Sequence, residues 1–289
     1  ITRSIISNMA QSDYFDVVAD VNTLNAYRGT APLQDTSSLL QSGKVNFVLT
    51  IPSGFSKAWV RGEKPSLLLE ADATDPAAAA MAVAQISPIV ERTLADIQTG
   101  SLNYLKSKPS SINVVVHNKY NPEGISQFNI VPGLLGVILT MTMVMITSIA
   151  MTREAERGTM ENLLAMPSKP LEVMIGKITP YVLMGLVQTI IILLASDMLF
   201  HVPFVGSGSS FALGVGLFIL TNLAIGFTFS TIAKSQMQAM QLTFFFFLPS
   251  MLLSGFMFPF QGMPRWAQYI GEILPLTHFL RIVRGIMLK

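Results

Sequence analysis

Cysteine is absent from the 289 residues, and charge is scarce, with Asp, Glu, Lys and Arg making up 12%. The first absence excludes a disulfide framework, a thiolate nucleophile and any Cys-based zinc or iron–sulfur site. The second excludes a chain living wholly in water, because soluble domains carry about 25% charged residues. A net charge of +2 leaves no basic excess for nucleic acid and no acidic tail for a basic partner. No glycine-rich loop of the G-x-x-x-x-G-K-S/T type occurs to hold a nucleotide phosphate. The chain is therefore expected to bind no cofactor and to catalyse nothing by itself. H-E-x-x-H and G-x-S-x-G are missing too, and His117, His201 and His278 are too scattered to predict a metal site.

What the chain has in quantity is hydrophobic side chains, 51% of the total, with a mean hydropathy of +0.51. A membrane protein is predicted. The composition shifts near residue 130: residues 1–130 hold 10 Lys/Arg and 11 Asp/Glu, against 9 and 6 in the rest. Two domains in different solvents follow, 1–130 and 131–289. In the second, Val131 to Met151 is an apolar run relieved only by Thr140, Thr142, Thr147 and Ser148. At 1.5 Å per residue it spans roughly 30 Å, one hydrocarbon core. Residues 178–199, 211–233 and 239–260 are further runs of similar length, so four crossings are predicted. Pro180, and Pro249 with Ser254-Gly255 after it, are expected to bend or break their helices.

The Lys/Arg content of the short connections sets the orientation. Arg153, Arg157, Lys169 and Lys177 lie between the first two runs and Lys234 between the last two, whereas 200–210 carries none. The first two connections are expected in the cytoplasm, which puts 1–130 and the tail 261–289 outside. The tail's own Arg265, Arg281, Arg284 and Lys289 run against that rule. An outer domain needs a leader or a preceding transmembrane helix, and Ile1 opens on neither. The chain is therefore expected to be part of a longer protein.

Residues 1–130 read as an α/β domain. Strands are predicted at 15–20, 45–51, 67–71 and 112–116. A long helix is predicted from Asp75-Pro76, an N-cap followed by proline, to about Gln98, kinked at Pro88. The fold class is a multi-pass α-helical membrane protein with an extracytoplasmic α/β domain.

The most informative stretch is 153–167, REAERGTMENLLAMP. Glu154 with Arg157, and Arg157 with Glu161, fall at helical i,i+3 and i,i+4 spacing. Met160, Leu163 and Leu164 form an apolar face beyond Gly158. An amphipathic helix at the cytoplasmic surface is predicted. Helices that lie on lipid headgroups favour Lys and Arg on the polar face, so this mixed charge suits a protein partner better.

That run resembles the coupling segment of ABC-2-type permeases, in which an R-E-x-E-x-G-T-x-E-x-L-L pattern recurs. Gly43-Lys44-Val45, Ile51-Pro52-Ser53-Gly54-Phe55, Arg61-Gly62 and Asp72-Ala73-Thr74-Asp75 are similar to the large extracytoplasmic insert of the efflux-type branch. Leu274 to Arg281, with Arg284-Gly285, is similar to its outer re-entrant region, which implies such a role for His278, Arg281 and Arg284. The resemblance implies a six-helix permease of which this chain carries helices two to five. It also implies dimerisation with a second copy or a paralogue, and a location in the bacterial inner membrane. ATP and Mg would sit on a partner ATP-binding subunit that meets Arg153, Glu154, Glu156, Arg157, Gly158, Thr159, Glu161 and Leu164. A periplasmic adaptor protein is a further partner to look for.

For a cargo path, the polar positions within apolar runs are Gln188, Asp197 and Asn222, and an intramembrane carboxylate is a functional candidate by default. Phe244 to Phe247 point all round their helix, and Phe244 and Phe247 are the two expected to line a path. Such a lining suits hydrophobic or amphiphilic cargo such as drugs. The leading expectation is an ATP-driven exporter permease. The alternatives are a membrane-anchored extracytoplasmic binding or sensor protein, which has no use for the coupling motif, and a lipid or polysaccharide exporter permease.

Overall fold

The computed structural model describes residues 1–12, 15, 17, 39–41, 43, 45–99, 112–158 and 170–289. They form two compact units, Ile1–Ile125 and Ser126–Lys289.

The first unit contains a three-stranded sheet in the order β1 (Phe47–Thr50), β2 (Ser66–Asp72), β3 (Asn113–Lys119). β1 pairs antiparallel with β2, Phe47 opposite Ala71, and β3 pairs parallel with β2, Leu67 opposite Val114. Alternation in β2 buries Leu67, Leu69 and Ala71, as a strand with one covered face requires. Three helices supply the cover: α1 (Thr2–Gln11), α2 (Phe55–Val60) and α3 (Pro76–Thr99). Ile5 and Met9, Phe55 and Trp59, and Ile86, Val90 and Leu94 pack with the two leucines. Asp75 caps α3, its Oδ1 accepting from the N–H groups of Ala77 and Ala78 at 3.2 Å each. The helix passes through Pro88 without interruption. The strand predicted at 15–20 lies largely outside the described residues.

The second unit is helical: α4 (Gln127–Glu156), α5 (Pro170–Phe200), α6 (Gly208–Ile232), α7 (Gln236–Leu253), α8 (Arg265–Ile273) and α9 (Pro275–Leu288). Among the described residues three helical stretches are long and apolar enough to cross a membrane: Gln127–Glu156, Ile175–Phe200 and Gly208–Ile232. The chain is mostly helical, as a multi-pass membrane protein must be when lipid offers its backbone no hydrogen bonds.

The fourth apolar run, predicted over 239–260, differs. Its helix, α7, covers 18 residues, about 27 Å, and ends at Leu253. Gly255 stands at φ +86° directly after it, a left-handed conformation that stops a helix and that glycine adopts without strain. Neither α5 nor α7 is interrupted at Pro180 or Pro249.

Small residues let the helices approach. A Cβ at Gly226 of α6 would lie 2.8 Å from Thr147 Cβ and 3.0 Å from the Val144 carbonyl oxygen of α4. At Gly136 of α4 it would meet Leu276 and Phe279 of α9 at 2.8 Å. Phe279 stacks on Phe218 of α6 with centroids 3.9 Å apart and planes 6° from parallel. Phe218 stands ten residues into α6, about 15 Å along its axis. The start of α9 is therefore well inside the bundle. Its far end meets the loop before α6, where the Gly206 N–H donates to the Ile286 carbonyl at 2.8 Å. α9 thus packs along α4 and α6, while α8 packs against α7 and α9.

Candidate coupling end and cargo path

Arg153 to Glu156 form the last turn of α4, continuous with the apolar span. A separate surface helix over 153–167 is not what the described part shows. Arg157 caps α4, its N–H donating to the Arg153 carbonyl at 3.1 Å, and the Gly158 N–H donates to the Ala155 carbonyl at 3.2 Å. Gly158 has φ +68°, so the residue type that interrupts the charged run also ends the helix. Thr159, Glu161 and Leu164 lie outside the described residues.

The two carboxylates of this turn bind neighbouring helices. Glu154 forms an ion pair with Lys177 on α5, the Lys side chain 18% and the Glu side chain 34% exposed. Glu156 Oε1 accepts from the backbone N–H of Gln236 at 2.9 Å, and Oε2 from its side-chain amide at 2.6 Å. Gln236 opens α7 directly after the N-cap Ser235, whose Oγ accepts from the Gln238 N–H at 3.3 Å. One turn of α4 thereby fastens α5, about two turns in, and the start of α7. Arg153 and Arg157 are exposed beside it. In the sequence Lys177 stands out only as a positive charge and Gln236 not at all; the polar cluster Lys234-Ser235-Gln236 with Gln238, just ahead of an apolar run, is the signal that could have found it.

The cargo-path candidates fall in different places. Gln188 of α5 accepts at 2.8 Å from the hydroxyl of Thr142 on α4. The pair sits in an open groove of about 630 Å³ between α4 and α5, walled by Ile138, Met143, Leu183, Val187 and Ile191. Asn222 is sealed in the bundle, 1% exposed, its Nδ2 donating to the Phe218 carbonyl of its own helix at 2.8 Å. Phe247 is in the core and Phe244 is 43% exposed. Asp197 is exposed on the last turn of α5, beside a smaller cleft. These five side chains do not converge on one cavity.

The tail residues are bound to protein groups. Arg281 makes a two-pronged contact with Glu272, at 2.6 and 3.1 Å, and its guanidinium carbon lies 4.6 Å from the Phe260 ring centroid. His278 Nε2 lies 2.8 Å from the Glu272 carbonyl oxygen. The Arg281 guanidinium, hydrogen-bonded to Glu272, holds its carboxyl below the usual carboxylate value. Both terminal nitrogens of Arg284 donate to the Gly255 carbonyl at 3.3 Å, bracing the break after α7. Among the described residues no group of three His, Asp or Glu side chains is placed to hold a metal ion.

A sequence profile of the family described as ABC-2 family transporter protein matches residues 1–289. The chain is 29% identical over 256 residues to the probable multidrug ABC transporter permease YbhR of Escherichia coli K12, covering 89% of this chain and 68% of that protein. It is 30% identical over 257 residues to YbhS of the same organism, also named a probable multidrug ABC transporter permease, covering 88% and 67%. The inner membrane transport permease YhhJ of that strain is 30% identical over 261 residues, covering 86% and 66%. No solved structure matches.

Proposed function

The chain belongs to the ABC-2 family of transporter proteins, and from that premise we propose that it moves hydrophobic or amphiphilic compounds, drugs among them, out of the cytoplasm or the inner membrane of a bacterium. It is the membrane-spanning permease subunit of an ABC exporter. The observation that carries the cargo class is the α4–α5 groove, about 630 Å³ with apolar walls and the Thr142–Gln188 pair as its polar feature. That volume suits a drug-sized molecule. A polysaccharide needs many hydrogen-bonding groups in its path, and this groove offers one pair. The naming of two relatives as multidrug permeases points the same way.

ABC-2 permeases work with ATP-binding subunits. In our reading the partner holds ATP and Mg and performs the hydrolysis, and this chain transmits it. Arg153, Arg157, Lys177 and Lys234 gather at the end of the bundle where α4 finishes, which supports a cytoplasmic placement of that end. In this reading residues 1–130 are extracytoplasmic, a second permease copy or a paralogue completes the path, and a periplasmic adaptor is a further partner.

Reconstitution of the permease with its ATP-binding subunit in lipid nanodiscs tests this. Alkyl amphiphiles, neutral ones included, should raise ATP turnover, and hydrophilic oligosaccharides should not. Stimulation by the oligosaccharide alone, or by neither class, overturns the assignment.

A further inference from the structure

The last turn of α5 and the loop after it form a cleft of about 290 Å³, lined by Leu193, Ser196, Asp197, His201, Phe204 and Met287 among others. Three of these side chains carry polar groups, and each can accept a hydrogen bond. The Asp197 carboxylate has no ion-pair or hydrogen-bond partner among the described residues. Ser196 is 4% exposed, and its Oγ is buried without a hydrogen-bond partner. Nδ1 of His201 lies 2.8 Å from the Asp197 carbonyl oxygen, which can only accept, so Nδ1 carries the proton. That leaves Nε2 of the neutral ring as an acceptor.

The backbone holds this group of acceptors in place. His201 sits at φ +50°, a conformation usually left to glycine at a helix end. Its N–H donates to the Asp197 carbonyl at 3.1 Å, and the Val202 N–H to the Ser196 carbonyl at 3.4 Å. The cleft also lies at the C-terminal end of α5, where the helix dipole favours positive charge. No Lys or Arg is among its lining residues, and Lys289, two residues from Met287, is not one of them. Phe204, held edge-on against Phe211 with centroids 5.4 Å apart, adds an aromatic ring.

We propose that this cleft binds the protonated amine of an amphiphile, with Asp197, Ser196 Oγ and His201 Nε2 accepting from its N–H groups and Leu193, Phe204 and Met287 covering the first methylenes. The volume suits a headgroup with a short length of chain rather than a whole drug. The proposal rests on the amphiphile-export reading and narrows it to cationic head groups at this corner. Free alkylamines and the ethanolamine headgroup of a lipid present the same chemistry.

Binding of dodecylammonium, dodecyltrimethylammonium and dodecanol to the permease assembled with its ATP-binding subunit in phosphatidylcholine nanodiscs separates the possibilities. Dodecylammonium should bind most tightly, because the quaternary ion has no N–H to donate and the alcohol no charge. Asp197→Asn should weaken dodecylammonium about tenfold, the loss expected for a charge-assisted hydrogen bond, and leave dodecanol unchanged. Ser196→Ala leaves the exposed carboxylate in place and should weaken dodecylammonium while folding normally. Replacing half of the lipid by phosphatidylethanolamine should compete if the lipid headgroup is the natural occupant, and should not if a free amine is. Equal binding of the three probes, or an unchanged dodecylammonium affinity in both variants, overturns the site. In that event ATPase stimulation by neutral amphiphiles would still stand for the exporter reading, so the two fail separately.

Discussion

Glu156 and Gln236, 80 residues apart in sequence, are joined by two hydrogen bonds that use both carboxylate oxygens of the one and both the backbone and side-chain N–H groups of the other. The contact links the last turn of α4 to the first turn of α7. Together with the Glu154–Lys177 pair, it makes the turn that carries Arg153 and Arg157 a common anchor for three helices. These contacts tie α4, α5 and α7 together at one turn. If a partner pushes on that turn, as we propose, they are the bonds through which the push would reach α5 and α7.

The first prediction follows from that geometry. Glu156→Ala removes both acceptors, and Glu156→Gln keeps one. The Ala variant should insert and assemble normally yet lose about fivefold or more of the cargo-stimulated increase in ATP turnover, and the Gln variant less. Basal turnover of the assembled complex serves as the control. Unchanged stimulation in the Ala variant would show that the bridge transmits nothing.

Much of the membrane unit was legible because hydrocarbon thickness constrains a sequence directly. The run Val131 to Met151 lies within α4, and the runs 178–199 and 211–233 fall within α5 and α6 apart from one residue. Leu67 to Ala71 shows its strand by alternation with a covered face, and β2 contains it. Contacts distant in sequence were not legible. Nothing around Glu154 points to Lys177, and although Ser254-Gly255 marks the break in 239–260, nothing there shows that Arg284 of α9 braces the Gly255 carbonyl. Polar residues in apolar runs were visible as a class but not by role. Asn222 serves helix packing, Gln188 a groove and Asp197 a separate cleft, because the helical face that decides this depends on neighbours supplied by other helices.

A second prediction contrasts two glycines of α6. A Cβ at Gly226 would lie 2.8 Å from Thr147 and 3.0 Å from a backbone oxygen, whereas at Gly216 it would meet nothing within 4 Å. Gly226→Ala must therefore push α4 and α6 apart and should destabilise the permease by about 1–3 kcal/mol. Gly216→Ala should be neutral or stabilise by up to about 1 kcal/mol through better helix propensity. Thermal unfolding in detergent reads both. Equal melting temperatures would mean that α4 and α6 do not touch at Gly226.

The final prediction concerns pH and the α8–α9 hairpin. The Arg281 guanidinium holds the Glu272 carboxyl below its ordinary value in the folded protein. For an acid whose folded pKa is depressed, the stabilisation is present above the unfolded pKa, about 4.3 for Glu. It is lost as pH falls through the lower, folded value. Both side chains are nearly half exposed, at 44% and 49%, so solvent screens the pair and its worth is at most about 1 kcal/mol. Glu272→Gln should therefore melt slightly below the wild type at pH 7, and the gap should close as the pH falls through the lowered value of the folded wild-type carboxyl, where it takes up its proton. High salt should narrow the gap at pH 7 as well, since an exposed pair is screened. The comparison is a pair of melting curves against pH in one detergent. A gap that persists unchanged into acid would mean that Glu272 acts through the shape of its side chain and not through its charge.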